Sequence, residues 1–413
     1  METSLNSSDA YAAIKIPDFR QFVSSRFLFS LAVQMQSVVI GWQIYHLTHD
    51  ALSLGMIGLT EAVPFLLVAL FAGHLADIKN RKTIIMSAVS VYLLCIIILF
   101  LLTTVFENYL LTAGVFPLYV IIFFTGLARG FMSPAQTALF AQLIPRELMG
   151  NASTWNSIAW QIASVTGPAA GGLICGFSGF GPAYFVVIIF IILGLVFLTF
   201  VKKKPLPETN RSETIWKSLT AGVKYVFNNQ IILSAISLDM FAVFFGGAVC
   251  VLPIFADQVL HIGAEGLGFL RAAPAVGAII MSVAQAFRPQ FKNAGRNLLF
   301  CVAGFGAATI FFAVSTNFYL SFLLLLITGM FDNVSVVIRS TIIQLFTPDE
   351  MRGRVAAVNS IFIGSSNELG SFESGVAAKL MGLVPSVIFG GSMTLVVVAA
   401  VRKFAPKLKT LKL

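Results

Sequence analysis

From about residue 18 onward the chain runs through roughly twelve apolar segments, each close to the ~20 residues that a helix needs to cross a bilayer. Charged or Gly/Pro-rich breaks separate them. Lipid offers no partner for an unpaired peptide group, so such segments are restricted to helices that satisfy their own backbone. The 413 residues are 57% hydrophobic and only 11% charged, against about 25% charged in an ordinary soluble chain. The reading is an all-α integral membrane protein with twelve transmembrane helices.

The cations are distributed as the positive-inside rule requires. Alternate breaks carry Lys15 and Arg20, then Lys79, Arg81 and Lys82, Arg146, the Lys202 to Lys224 group, Arg288 to Arg296, Arg352 and Arg354, and finally Arg402 to Lys412. The breaks between them, near residues 47–50, 105–116, 179–182, 259–265, 315–317 and 381–385, contain no Lys or Arg. This asymmetry places both termini in the cytoplasm. It also accounts for the net charge of +9 without invoking nucleic acid. Residues 1–17 are polar and predict no cleavable signal. Cys95, Cys175, Cys250 and Cys301 lie singly in or beside apolar runs, a pattern that suits packing and not metal binding.

Residues 202–230 form the longest polar interruption, with an apolar periodicity through Trp216, Leu219, Val223 and Val226 that predicts an amphipathic surface helix. The expected organisation is a six-helix half at 1–201, this linker, and a second six-helix half at 231–413. An internal repeat supports the division. Thr125-Gly126, Pro145, Glu147, Gly150, Asn156, Ile158 and Gly167 recur at a constant offset as Thr328-Gly329, Pro348, Glu350, Gly353, Asn359, Ile361 and Gly370. Two similar halves with a substrate site between them are a common transporter plan.

Two motifs carry a family resemblance. Gly73-His-Leu-Ala-Asp77-Ile-Lys-Asn-Arg81-Lys82 lies between spans 2 and 3, and Gly167-Pro168-Ala-Ala-Gly171-Gly172 lies within span 5. Together they resemble the major facilitator superfamily, and among its members the bacterial enterobactin and macrolide exporters. The resemblance implies the superfamily fold of two pseudo-symmetric six-helix halves, a monomeric transport unit, and proton-coupled efflux of a small amphipathic molecule such as a siderophore or drug. In the family, Gly73, Asp77, Arg81 and Lys82 occupy the positions of a cytoplasmic gate motif, with Asp77 held against the start of span 11. Gly167, Pro168, Gly171 and Gly172 match its antiporter motif. The family usually has Arg and Gly where this chain has Ile78 and Asn80, and Asn80 suits a left-handed turn. The second-half counterpart, Phe287 to Lys292, is degenerate.

Ionisable groups at bilayer depth are costly and mark function by default. Desolvation favours the protonated form of a carboxyl, which makes Glu61, Asp239, Asp332 and Glu368 proton-coupling candidates. Arg26, Arg129 and Arg339 are their candidate partners. Asp332 and Arg339 share a helix face, and the repeat maps Arg129 onto Asp332, so an Arg129–Asp332 pairing is expected. Gln36, Gln43, Gln136, Asn156 and Asn359 are candidates for a substrate cavity, since an amide in hydrocarbon needs a partner, either a solute or another helix. Phosphate-cradling, HExxH and GxSxG signatures are absent, so the chain reads as neither an enzyme nor an ATP-driven pump, with no cofactor or metal. An uptake symporter or lysophospholipid flippase on the same fold, or a non-transporting membrane sensor or scaffold, are the competing readings.

Overall fold

The computed structural model describes residues 9–205, 215–287, 293–348 and 351–411. The first set of helices comprises α1 (Pro17–Thr48), α2 (Ala51–Ile78), α3 (Arg81–Thr104), the short α4 (Glu107–Ala113), α5 (Phe116–Leu143), α6 (Met149–Ser178) and α7 (Phe180–Phe200). The linker helix α8 (Ile215–Asn228) follows. The second set runs through α9 (Gln230–Gly246), α10 (Leu252–Ile254), α11 (Gly263–Ala286), α12 (Ala294–Val314), α13 (Phe318–Phe346), α14 (Arg352–Met381), α15 (Leu383–Phe404) and α16 (Pro406–Lys409). Among the described residues there is no strand.

Among the described residues, eleven stretches are long and apolar enough to cross a membrane. The thirty-residue α14, in the place expected for the eleventh span, is not among them. Asn359, Asn367, Glu368, Glu373 and its serines lower its hydropathy without shortening it.

The repeat recurs in the helix boundaries. α5 ends at Leu143 and α13 at Phe346, α6 spans Met149–Ser178 and α14 spans Arg352–Met381, and α7 and α15 open at Phe180 and Leu383. Each second-half position lies 203 residues after its counterpart. Local bonding repeats as well. Leu148 N–H donates to Pro145 O at 3.1 Å and Met351 N–H to Pro348 O at 2.9 Å, each turning the chain into the next helix. Buried Thr125 and Thr328 donate to Ile122 O (2.7 Å) and Leu325 O (2.6 Å).

The chain clusters into two compact units, Met1–Leu47 with Val63–Asn210, and Thr48–Ala62 with Arg211–Leu413. The first twelve residues of α2 therefore belong to the second unit. Pro64, which cannot donate to the carbonyl four residues back, lies just past that boundary. The reason is close packing: a methyl group added at Gly55 would lie 2.9 Å from Gly375 Cα, and one at Gly58 would lie 2.6 Å from Glu368 O.

In the first unit, small residues set the approach of α6 to α1. Ala163, Gly167 and Gly171 recur one turn apart. A Cβ on Gly167 would meet Gln34 Cβ at 2.7 Å, and one on Gly171 would meet Met35 O at 2.9 Å. The buried Pro168 and Gly172 complete this stretch.

On α8, Val226 is fully buried with Ile232, Ile236, Val355 and Val358, Tyr225 Oη donates to Phe346 O at 2.7 Å, and Gly222 admits the backbone of Arg354, whereas Val223 of the same apolar periodicity is exposed.

Candidate functional site

The apolar run over residues 231–258, the seventh of the twelve segments, reads as one spanning helix, and the structure breaks it. α9 stops at Gly246, a 3₁₀ turn covers Ala248–Val251, α10 is a single turn, and a π turn covers Phe255–Val259. The physical causes are in the sequence: two consecutive glycines lower helix propensity, and Pro253 has no N–H for the carbonyl of Val249. Leu252 N–H takes that carbonyl instead. Irregular backbone at membrane depth requires protein or water partners, and hydroxyls provide them. Ser374 Oγ donates to Gly247 O at 3.2 Å, and Thr394 Oγ1 donates to Ala242 O at 3.4 Å.

Charged groups of the second unit gather around this break. The Cys250 thiol lies within Coulombic reach of the Arg271 guanidinium and the Glu368 carboxylate. Glu61 lies one turn beyond Gly58 on α2, at the stretch packed against Glu368. Both Glu61 and Glu368 are half-buried. Cys250 is buried within the break, as its packing reading expects.

On the α9 side, Asp239 forms an ion pair with Arg339 of α13. Arg339 shares its α13 face with Ser335 and Asp332, at spacings of four and seven residues. Ser335 Oγ is buried without a hydrogen-bond partner, and among the described residues Asp332 has no hydrogen bond or ion pair. Sequence reasoning placed Asp332 and Arg339 together but left Arg339's partner open. The structure supplies Asp239.

The amide candidates divide into two groups. Gln36 and Gln43 are turned into the first unit, 6% and 3% exposed. The Tyr92 hydroxyl donates to Gln36 Oε1, the Tyr184 hydroxyl donates to Gln43 Oε1 at 2.7 Å, and Gln43 Nε2 donates to Thr103 Oγ1 at 3.0 Å. For these two, the partner is another helix. Gln136, Asn156 and Asn359 are half-buried, and Asn359 Oδ1 is buried without a partner. Arg26 and Arg129 are also half-buried, on α1 and α5.

At the gate motif, Arg81 donates from Nε to Ala76 O and from Nη1 to Ala138 O, both at 3.1 Å, tying the ends of α2 and α5. Lys82 is buried and donates to Thr199 O at 2.7 Å and Val201 O at 2.6 Å, where the end of α7 presents unpaired carbonyls. Gly73 has open space beside it. Asn80 corrects the left-handed expectation. At φ −62° and ψ 117° it is extended, and its side chain caps α3 by accepting from Thr83 N–H. An N-cap requires β-region backbone, so capping decides its conformation. The Asp77 side chain and residues 288–292 lie outside the described residues.

A family model described as "Transmembrane secretion effector" matches residues 8–412. The MFS-type transporter YfmI of Bacillus subtilis (strain 168) is 25% identical over 338 residues, 76% of this chain and 81% of its own. The enterobactin exporter EntS of Escherichia coli O1:K1 / APEC is 27% identical over 401 residues, 94% of this chain and 93% of its own. Two solved structures share the fold. A POT family transporter has a TM-score of 0.74 at 13% identity, covering 94% of this chain and 96% of its own. A bacterial homolog of the human lysosomal transporter Spinster has 0.72 at 14%, covering 95% and 96%. The chain belongs to the transmembrane secretion effector family of the major facilitator superfamily, and is a multi-pass membrane transporter and not an enzyme.

Proposed function

We propose that the protein is a monomeric, proton-coupled exporter of a small amphipathic solute, working by alternating access with both termini in the cytoplasm. The likeness to an enterobactin exporter over 94% of the chain supports a siderophore or drug as the solute class. The observation that carries the coupling is the arrangement on α13. One arginine, Arg339, is held by Asp239, and a second carboxylate, Asp332, stands on the same face with no described partner. An isolated carboxylate at bilayer depth is costly, so Asp332 binds a proton in one orientation and releases it in the other. Glu61 and Glu368, beside the broken span, form a second carboxyl group for the same cycle. Gln136, Asn156 and Asn359 supply amides to the solute, with Arg26 and Arg129 as charged partners. Asp77, at the cytoplasmic turn held by Arg81 and Lys82, acts as the latch on the start of α14.

The test is flux from proteoliposomes under an imposed proton gradient. Asp332→Asn should abolish gradient-driven flux while leaving solute exchange at equilibrium intact. Full gradient-driven flux in Asp332→Asn would refute the assignment, and net flux with the opposite gradient dependence would favour uptake.

A further inference from the structure

A cavity of about 370 Å³ opens where α8 turns into α9, lined by Tyr225, Asn228, Asn229, Gln230, Ile231 and Lys407. None of these residues is acidic, and residues 374–413 contain no Asp or Glu at all. Lys224, four residues before Asn228 and hence on the same side of α8, adds a cation.

The amide bonding leaves donors over. Asn229 Oδ1 is occupied by the N–H groups of Ile231 and Ile232, at 3.1 and 3.2 Å, so its NH₂ remains to donate. Tyr225 and Gln230 are fixed by bonds to Phe346 O and Phe404 O. The wall carrying Lys407 is anchored as well. Leu408 is fully buried and Gly295 N–H donates to Leu411 O at 3.2 Å. The cavity is thus a built concavity with an ammonium and amide donors, suited to a phosphate oxygen.

Its rim is apolar. Phe404, whose carbonyl accepts from the Gln230 side chain, is 73% exposed at the end of the spanning helix α15. A cationic, amide-lined pocket with an exposed aromatic rim at headgroup depth matches a molecule with a phosphate at one end and hydrocarbon at the other.

We propose that this cavity binds the phosphate of an anionic phospholipid from the surrounding leaflet, with Lys407 and the Asn229 amide on the phosphate and Phe404 against the acyl chains. The occupant is separate from the transported solute, since it sits at the α8–α9 corner and not at the buried charges.

The experiment uses the full-length protein in nanodiscs of phosphatidylcholine mixed with phosphatidylglycerol, with retained lipid counted by native mass spectrometry. Phosphatidylglycerol should be retained preferentially, and Lys407→Glu should reduce its retention by about fivefold or more, as expected for one cation at an anionic surface. Lys224→Glu should reduce it less, and Lys79→Glu, on an exposed turn far along the chain, should leave it unchanged. Lys407 is exposed, so the variant is expected to fold, and an unchanged melting temperature checks that. Equal loss in Lys79→Glu, or retention indifferent to lipid charge, overturns the proposal. Thermal protection of the detergent-purified protein by inorganic phosphate, lost in Lys407→Glu and without any lipid preference in nanodiscs, overturns the lipid as occupant in favour of free phosphate.

Discussion

Arg339 of α13 and Asp239 of α9 form an ion pair with side chains only 5% and 7% exposed. Removing one partner strands a charge where water cannot reach it, and breaking such a pair costs about 3–5 kcal/mol. Asp239→Asn should therefore destabilise the purified protein far more than Asp239→Asn combined with Arg339→Gln, which removes both charges. Melting temperatures of the two variants in one detergent decide this. A double variant as unstable as the single one would show that the pair is not an independent unit.

Tyr184 and Gln43 make the same argument with neutral groups. Tyr184→Phe leaves Gln43 Oε1 buried and unpaired, for a loss of about 1–3 kcal/mol. Because Gln43 is closed into the bundle, the range of solutes transported should not change. A changed solute range with intact stability would place Gln43 on the transport path instead.

Gly171 and Gly150 lie on one helix, α6, with opposite surroundings. A methyl group at Gly171 would meet Met35 O at 2.9 Å, whereas one at Gly150 would meet nothing within 4 Å. Helix propensity alone favours alanine over glycine by about 1 kcal/mol. Gly150→Ala should therefore be neutral or stabilising, while Gly171→Ala should lower both stability and transport as α6 is pushed from α1. Equal melting temperatures for the two variants would contradict this packing account.

Asp50 lies between α1 and α2 and faces Lys379 at 3.2 Å. Burial of its carboxyl works against the charge, but the Ser53 N–H at 3.0 Å, Lys379 and the Ser53 hydroxyl outweigh it, so it titrates below its ordinary value of 3.8. A carboxyl with a depressed folded value contributes stability above the unfolded value and loses it as pH falls through the folded one. Lys379 is half exposed, so the pair is worth about 0.5 kcal/mol. The small stability gap between the native chain and Lys379→Gln should hold from about pH 8 down to about pH 5 and close only below about pH 4. Unfolding measured across that series checks it, and a gap that widens on acidification would be the wrong sign.

Periodicity and charge made most of the helices legible, because hydrocarbon permits few solutions and the breaks are strongly marked. The Thr125/Thr328 repeat located boundaries that recur to the residue in α6 and α14. Less legible was anything depending on which neighbour a side chain meets. Gln36 and Gln43 read as cavity candidates because their spacing shows a face, and a face does not reveal that Tyr92 and Tyr184 stand opposite. Asn80 read as a left-handed turn residue because the family has glycine there, yet Thr83 offered its N–H for a cap. Arg339 was legible as a charge needing a partner, while the choice of Asp239 required the packing of α9 on α13. The interruption of span 7 was written in Gly246, Gly247 and Pro253, but its apolar run is as long as that of an unbroken helix.

That interruption has a mechanical consequence. A helix resists torsion because each peptide is tied to the one four residues along, and between Gly246 and Val259 that tie changes pitch three times. The stretch anchored by Asp239 and the stretch ending in the π turn are therefore two levers meeting at a soft joint. Rotation of the outer lever does not have to turn the inner one, so the buried charge pair can stay in register while the far end of the same span re-aims.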